Sequence, residues 1–294
     1  MRVKIEEGVE LYVDIEGAGL VPDGATMRER PTVVLLHGGP GMDHSGFKSA
    51  GFGSLRDVAQ VVYVDLRGQG RSGGRDPKGW NLDTWADDIV GVCEQLGIER
   101  PIVVGQSFGG LVVQRYLEMN PEHPRAVVLL GVHSRLDLDC VGKAFEARGG
   151  REAGATATAF LGGDTSAHDQ FQALCMPLYS TEDLDIEAFL RMVLTEDVLP
   201  HFLREWGTVD LGPGLSNVAC PVLICGAEHD VIAPPELVEE MAANFTNAPV
   251  TMHEFAGAGH LQVCGEAAVP VIREFVRTLE ATWAGTTRDD SPAS

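Results

Sequence analysis

The sequence predicts an α/β fold, a mostly parallel central sheet flanked by helices with a helical cap inserted in it. Three observations carry this. Short apolar runs recur along the chain, helical periodicity fills the gaps between several of them, and the alternation lapses between His133 and about Leu215. Such runs suit strands buried on both faces, and strands alternating with helices imply parallel pairing under two helical layers. At 294 residues the chain is long enough to bury a sizeable core. Its composition, 44% hydrophobic and 22% charged, is that of a folded domain.

The elements follow in order. Arg2–Ile5 and Glu10–Ile15 alternate apolar and polar residues and are expected to pair antiparallel through a turn at Glu7-Gly8. The buried-strand candidates are Thr32–Leu36, Val61–Val64, Pro101–Val104, Ala126–Gly131, Pro221–Cys225 and Val250–Phe255. Between them, Leu82, Trp85, Ile89, Val92 and Leu96 form one stripe of an amphipathic helix, with Asn81 placed to cap it. A second helix is expected from Phe108 to Met119, stopped by Asn120-Pro121. Within the insert, short helices are expected near Leu138–Ala147, Ala167–Leu178 and Ile186–Val193, broken at Gly149-Gly150 and Gly162-Gly163. The chain thus divides into a core, 1–132 and 216–283, and a cap, 133–215. A last helix covers Pro270–Trp283, and the small polar tail, 284–294, is expected to be disordered.

Charge and composition remove several function classes. A net charge of −21 argues against binding nucleic acid and against anionic membranes. No apolar run approaches the roughly 20 residues that span a bilayer. The first residues mix acids among the apolar ones, unlike a secretory signal. Six scattered cysteines, Cys93, Cys140, Cys175, Cys220, Cys225 and Cys264, read as reduced, mostly buried thiols of a cytoplasmic protein. No His, Cys, Asp or Glu spacing suggests a metal. The loop Asp65–Ser72 lacks both Gly-Lys-Ser and G-x-G-x-x-G spacing, so it reads as a scaffold and no cofactor is expected.

The chemistry gathers around Gly105-Gln106-Ser107-Phe108-Gly109, a G-x-S-x-G between a strand and a helix. A sharp strand–turn–helix lifts the serine hydroxyl above the sheet edge, and flanking glycines make room for it. A hydroxyl is a poor nucleophile until a base takes its proton, so an acid and a histidine should follow on loops beyond later strands. His260, in the glycine-rich loop after Val250–Phe255, is the expected base; His253 inside that strand and His229 beside the acid are worse placed. Asp230, just past Pro221–Cys225, is the expected acid, with Glu228 as the alternative. The oxyanion needs two backbone N–H donors. Phe108 should supply one and Gly39 the other, from the loop His37-Gly38-Gly39-Pro40-Gly41.

Taken together, HGGPG, DLRGQGRS, GQSFGG, the late aspartate and GAGH resemble the α/β-hydrolase superfamily from Val33 to about Val271. The HGGPGM form of the oxyanion loop is most similar to the proline iminopeptidase branch, including tricorn-interacting aminopeptidases. The chain departs from that branch at two positions. Phe108 stands where many of its members have tryptophan, and Val231 stands where the tricorn-associated members have a carboxylate that receives the substrate ammonium. A cap acid could replace that carboxylate, and Glu196, Asp197 and Glu205 are the candidates.

The expected function is hydrolysis of a small amide or ester through an acyl-enzyme on Ser107, Asp230 and His260. The resemblance implies release of an N-terminal residue from short peptides. The alternatives are a carboxylesterase or lactonase acting on an uncharged ester, and a non-catalytic ligand-binding relative. The expected partner is a small-molecule or short-peptide substrate.

Overall fold

Strand β5 (Thr32–Leu36) shows how the sheet is built. Its side chains alternate, Val34 and Leu36 entering one apolar layer and Val33 and Leu35 the other, and all four are buried. Both faces are therefore covered, which is why this strand reads as an unbroken apolar run rather than as an alternating one. The computed structural model describes residues 1–183 and 186–286.

Ahead of β5, β1 (Arg2–Glu6) and β2 (Val9–Glu16) pair antiparallel as expected. A hairpin of β3 (Leu20–Asp23) and β4 (Thr26–Glu29), which the hydrophobic pattern does not reveal, forms its own two-stranded sheet. Its residues are almost all exposed, so no apolar alternation marks it. After β5 come α1 (Ser45–Ser49), β6 (Gln60–Val64), α2 (Leu82–Leu96), β7 (Ile102–Gln106), α3 (Phe108–Met119) and β8 (Ala126–Leu130). Asn81 Oδ1 accepts the Thr84 N–H at 2.9 Å, capping α2 as its sequence predicts.

The stretch between β8 and the next sheet strand contributes helices: α4 (Leu138–Leu161), α5 (His168–Leu174), α6 (Ile186–Leu190) and α7 (Val198–Trp206). The break expected at Gly149-Gly150 is present: α4 is two helical segments meeting at a kink, where Gly150 takes the non-helical φ 83° and ψ 174°. The expected helix over Ala167–Leu178 divides into α5 and a 3₁₀ turn at Met176–Tyr179. Helix α7, which no predicted element anticipated, buries Val198, Phe202, Leu203 and Trp206.

The sheet resumes with β9 (Val222–Ala227), α8 (Pro235–Ala243), β10 (Val250–Phe255), the short α9 (His260–Val263) and α10 (Ala268–Thr286). Strand β10 corrects an expectation. It pairs parallel with β9 but lies at the sheet edge, and its middle four residues are exposed rather than buried on both faces. Helix α10 passes the expected end at Trp283, so residues 284–286 are helical; the rest of the expected tail, 287–294, lies outside the described residues.

The order across the main sheet is β1-β2-β6-β5-β7-β8-β9-β10. The chain moves outward from β5 to β6, crosses back to β7, and then continues the other way. That reversal leaves the loops after β5 and β7 adjacent at the carboxyl ends of the parallel strands, where open α/β sheets bind ligands.

Candidate active site

Ser107 sits in the turn between β7 and α3 with φ 50° and ψ −118°, the one positive φ outside glycine among the described residues. A non-glycine residue held there is strained, and its surroundings must impose the geometry. They do so by close packing. A Cβ on Gly109 would come within 2.2 Å of the Leu36 carbonyl oxygen, and one on Gly105 within 2.6 Å of Gly110 Cα. The turn can therefore be this tight only with glycines on both sides, the steric basis of the motif.

The structure brings Ser107, His260 and Asp230 into one hydrogen-bonded chain. His260 Nε2 lies 3.0 Å from Ser107 Oγ, and His260 Nδ1 lies 2.8 and 3.0 Å from the two carboxylate oxygens of Asp230. Asp230 accepts two further N–H groups on Oδ1, from Ile232 and Ala233, each at 2.8 Å. Both His260 and Asp230 are buried. Burial alone would lower the His260 pKa, but the Asp230 carboxylate outweighs it and holds the imidazole well above its usual range. Glu228 is not part of this chain. It is exposed and accepts the Gly257 N–H at 2.8 Å. His229 and His253 are exposed as well.

Gly39 and Phe108 both face the cavity that contains Ser107. As the first residue of α3, Phe108 has an N–H without an intrahelical acceptor. Gly39 adopts φ 125°, a value open only to glycine, and its peptide to Pro40 is cis. The loop is pinned on either side of it: Gln106 Oε1 accepts the Gly38 N–H at 3.3 Å, and Gln69 Oε1 accepts the Gly41 N–H at 2.6 Å.

The Asp65–Ser72 loop supports this arrangement. His37 Nε2 accepts the Leu66 N–H at 3.1 Å, which leaves its proton on Nδ1, 2.8 Å from the Gly38 carbonyl oxygen. Burial keeps the His37 pKa below its usual value, favouring this neutral form. Asp65 accepts the backbone N–H groups of His44 and Arg71. Arg67 donates through Nε and Nη2 to the buried Asp88, at 2.9 and 2.6 Å, tying the loop to α2.

Sequence reasoning missed several residues of the site. Gln106 also donates through Nε2 to the Cys264 carbonyl oxygen at 2.7 Å, so one side chain links the loops of Gly38, Ser107 and His260. Its place inside the G-x-S-x-G was the available clue. Tyr179 sets its ring edge-on to His260, with centroids 5.4 Å apart. Arg148 donates to the carbonyl oxygens of Leu178, Ser180 and His229, holding the insert against the loop of Asp230. His133, three residues beyond β8, is buried and lines the same cavity as Ser107.

That cavity holds about 220 Å³ and is predominantly apolar, with Phe108, Phe160, Phe171, Met176 and Phe202 in its wall. None of the expected ammonium acceptors, Glu196, Asp197 or Glu205, lines it. Asp43 is the carboxylate that does, among the described residues. Its oxygens are already engaged by Arg71, by Ser45 and by the Val193 N–H. Burial pushes its pKa up, but these donors outweigh burial and hold it below the usual value. Among the described residues no cluster of His, Cys, Asp or Glu could hold a metal ion, and no helix is long and apolar enough to cross a membrane.

Residues 31–266 match the alpha/beta hydrolase fold family. The proline iminopeptidase of Lactobacillus helveticus is 30% identical over 113 residues, 37% of this chain and 38% of that protein. The match thus spans well under half of that relative's length. The crystal structure of a proline iminopeptidase from Mycobacterium smegmatis superposes with a TM-score of 0.73 at 21% identity, covering 96% of this chain and 99% of the other. The esterase EaEST from Exiguobacterium antarcticum superposes with a TM-score of 0.68 at 20% identity, covering 96% and 98%. At such identities these two structures show a shared fold. With the family match covering most of its length, the chain belongs to the alpha/beta hydrolase fold family.

Proposed function

We propose that the protein is a serine hydrolase that cleaves a small, uncharged ester through an acyl-enzyme. Ser107 Oγ attacks the ester carbonyl carbon while His260 Nε2 takes its proton. Asp230 holds the His260 proton on Nδ1 and stabilises the imidazolium. The N–H groups of Gly39 and Phe108 stabilise the tetrahedral oxyanion. As the tetrahedral centre collapses, the C–O bond to the leaving alcohol breaks and His260 returns the proton to that oxygen. A water molecule then attacks the acyl-enzyme, giving a proton to His260; as the C–Oγ bond breaks, His260 returns that proton to Ser107 Oγ and the carboxylic acid is released.

The observation that favours an ester over a peptide N-terminus is the lack of a free carboxylate in the cavity wall among the described residues. An ammonium group buried beside apolar side chains without a counter-charge is costly. The acids that could have offered one, Glu196, Asp197 and Glu205, lie elsewhere, and Asp43 is saturated. This reverses the order of the two readings drawn from the sequence.

The test is a rate panel of short-chain nitrophenyl esters, simple lactones, prolyl and alanyl anilides, and the same anilides with the amine acylated. Neutral esters should give the highest kcat/KM, and acylating the anilide amine should not reduce its rate. A preference of tenfold or more for the free amine over its acylated form would restore the aminopeptidase reading.

A further inference from the structure

The cavity wall has a polar spot that the proposed chemistry does not use. His133 and Trp206 both face the cavity, with their rings stacked at 6.0 Å and 8° between planes. Both are buried, His133 to 2% exposure. Neither His133 Nδ1 nor Trp206 Nε1 has a hydrogen-bond partner among the described residues. Buried polar atoms are almost always paired, because stripping them of water without compensation is expensive. A residue placed here only to fill space against Trp206 would pack as well as phenylalanine and leave no orphan. The pairing group is therefore to be sought in what the cavity binds.

The two residues are held rigidly relative to the nucleophile. Gln114, on the helix that begins one residue after Ser107, donates through Nε2 to the His133 carbonyl oxygen at 3.1 Å. His133 lies three residues beyond the end of β8, and Trp206 closes α7, whose Phe202 packs its ring against Phe108 at 4.9 Å. Burial pushes the His133 imidazole down to about 4, so it is neutral near pH 7, with one nitrogen donating and the other accepting. A neutral ring beside an indole N–H carries no net charge to balance a charged group, and among the described residues the cavity wall has no free counter-charge for one.

We infer that His133 and Trp206 form a specificity-determining subsite for an uncharged oxygen substituent, a hydroxyl or a carbonyl, carried on the substrate. The hydrocarbon of the substrate lies along the phenylalanine wall, and the oxygen substituent pairs with the two orphaned ring nitrogens. The preferred substrate class is thus an oxygenated aliphatic ester rather than a plain hydrocarbon one. A site built to pair with such a group discriminates against an analogue lacking it, because its own buried polar atoms are left bare.

This inference rests on the serine-hydrolase reading for turnover but not for binding, so the two are tested apart. In the binding arm, Ser107→Ala protein is titrated by calorimetry with N-butylhexanamide and with its 2-, 3- and 4-hydroxy and oxo derivatives. At least one derivative should bind roughly tenfold or more tightly than the parent. Adding His133→Phe, which preserves the stack, should bring that ratio close to one, and Trp206→Phe should reduce it. His133→Asn, whose amide can stand where Nδ1 stands, should retain most of it. Thermal melts establish that each variant is folded, and Trp206→Phe carries the test if His133→Phe is not. Equal binding of all the ligands, or a ratio unmoved by both aromatic substitutions, overturns the subsite. In the turnover arm, wild-type protein is given the matching nitrophenyl esters, and kcat/KM should follow the same order. Differential binding without turnover of any ester upholds the subsite and overturns the hydrolytic reading.

Discussion

Replacing Asp230 by asparagine tests the proposed mechanism at its most constrained point. The substitution keeps size and shape and exchanges one carboxylate oxygen for an amide nitrogen. The backbone decides which oxygen survives. Oδ1 accepts N–H groups from Ile232 and Ala233, each at 2.8 Å, so the asparagine carbonyl must take that place. Its NH₂ then occupies the Oδ2 position, 2.8 Å from His260 Nδ1. Two donors would face each other there, so His260 moves its proton to Nε2, pointing it at Ser107 Oγ 3.0 Å away. In that tautomer the ring cannot take the serine proton. The expected loss in kcat/KM is about 10⁴-fold, close to 5.5 kcal/mol of transition-state stabilisation. The pH profile supplies a second readout. His260 acts as a base only when neutral, and Asp230 raises its pKa, so wild-type activity should fall as pH drops through a midpoint above 6.5. In Asp230→Asn the residual activity should titrate at a lower pH, because the carboxylate that raised the pKa is gone. The assay is nitrophenyl ester hydrolysis from pH 5 to 9, with Glu228→Gln in parallel. A loss below tenfold for Asp230→Asn, or a larger loss for Glu228→Gln, would refute the assignment of the acid.

Three further outcomes are expected. Ser107→Ala should remove turnover by about 10⁶-fold and abolish labelling by a serine-directed phosphonate, with the melting temperature preserved; labelling that survives the substitution would move the nucleophile elsewhere. Gly109→Ala should destabilise the fold by about 3 kcal/mol or more, because its Cβ would meet fixed backbone 2.2 Å away, and urea unfolding measures this directly. Glu205→Gln should raise thermal stability at pH 7 to 8, with the gain shrinking towards pH 4. Burial raises the Glu205 pKa, and Oε1 has no partner, so the folded state holds its proton more tightly and the wild type loses stability as pH rises through that window. A gain that is the same at both pH values would show that the carboxylate is not penalised by burial.

Much of the architecture was legible along the chain because its causes are local. Strand β5, the α2 stripe with its Asn81 cap, and α3 up to Asn120-Pro121 each follow from periodicity and punctuation within a dozen or so residues. Ser107 was legible for a similar reason, since the steric demand of its turn is met by glycines two residues away on each side. Strand β10 misled because its exposure depends on where it lies in the sheet, and an edge position is a property of the whole topology. The β3–β4 hairpin escaped because no apolar period marks it; α7 was missed although Val198, Leu199, Phe202, Leu203 and Trp206 form one helical stripe.

What the sequence determined by itself was the parallel sheet, the tight turn at Ser107, and the residue types able to serve as base, acid and oxyanion donors. Those depend on backbone sterics and on chemistry that few side chains can perform. Only the tertiary structure decided which acid reaches His260, since Asp230 and Glu228 are two residues apart and differ in burial and direction rather than in chemistry. It also decided the character of the cavity. The insert carries more than twice as many acidic as basic residues, and on composition alone one of them should meet a substrate ammonium. Folding turns Phe160, Phe171, Phe202 and Trp206 towards Ser107 and leaves Glu196, Asp197 and Glu205 out of the lining. The reason is physical: an amphipathic helix buries its apolar face wherever the core offers one, and its charges go to water unless a partner is waiting for them.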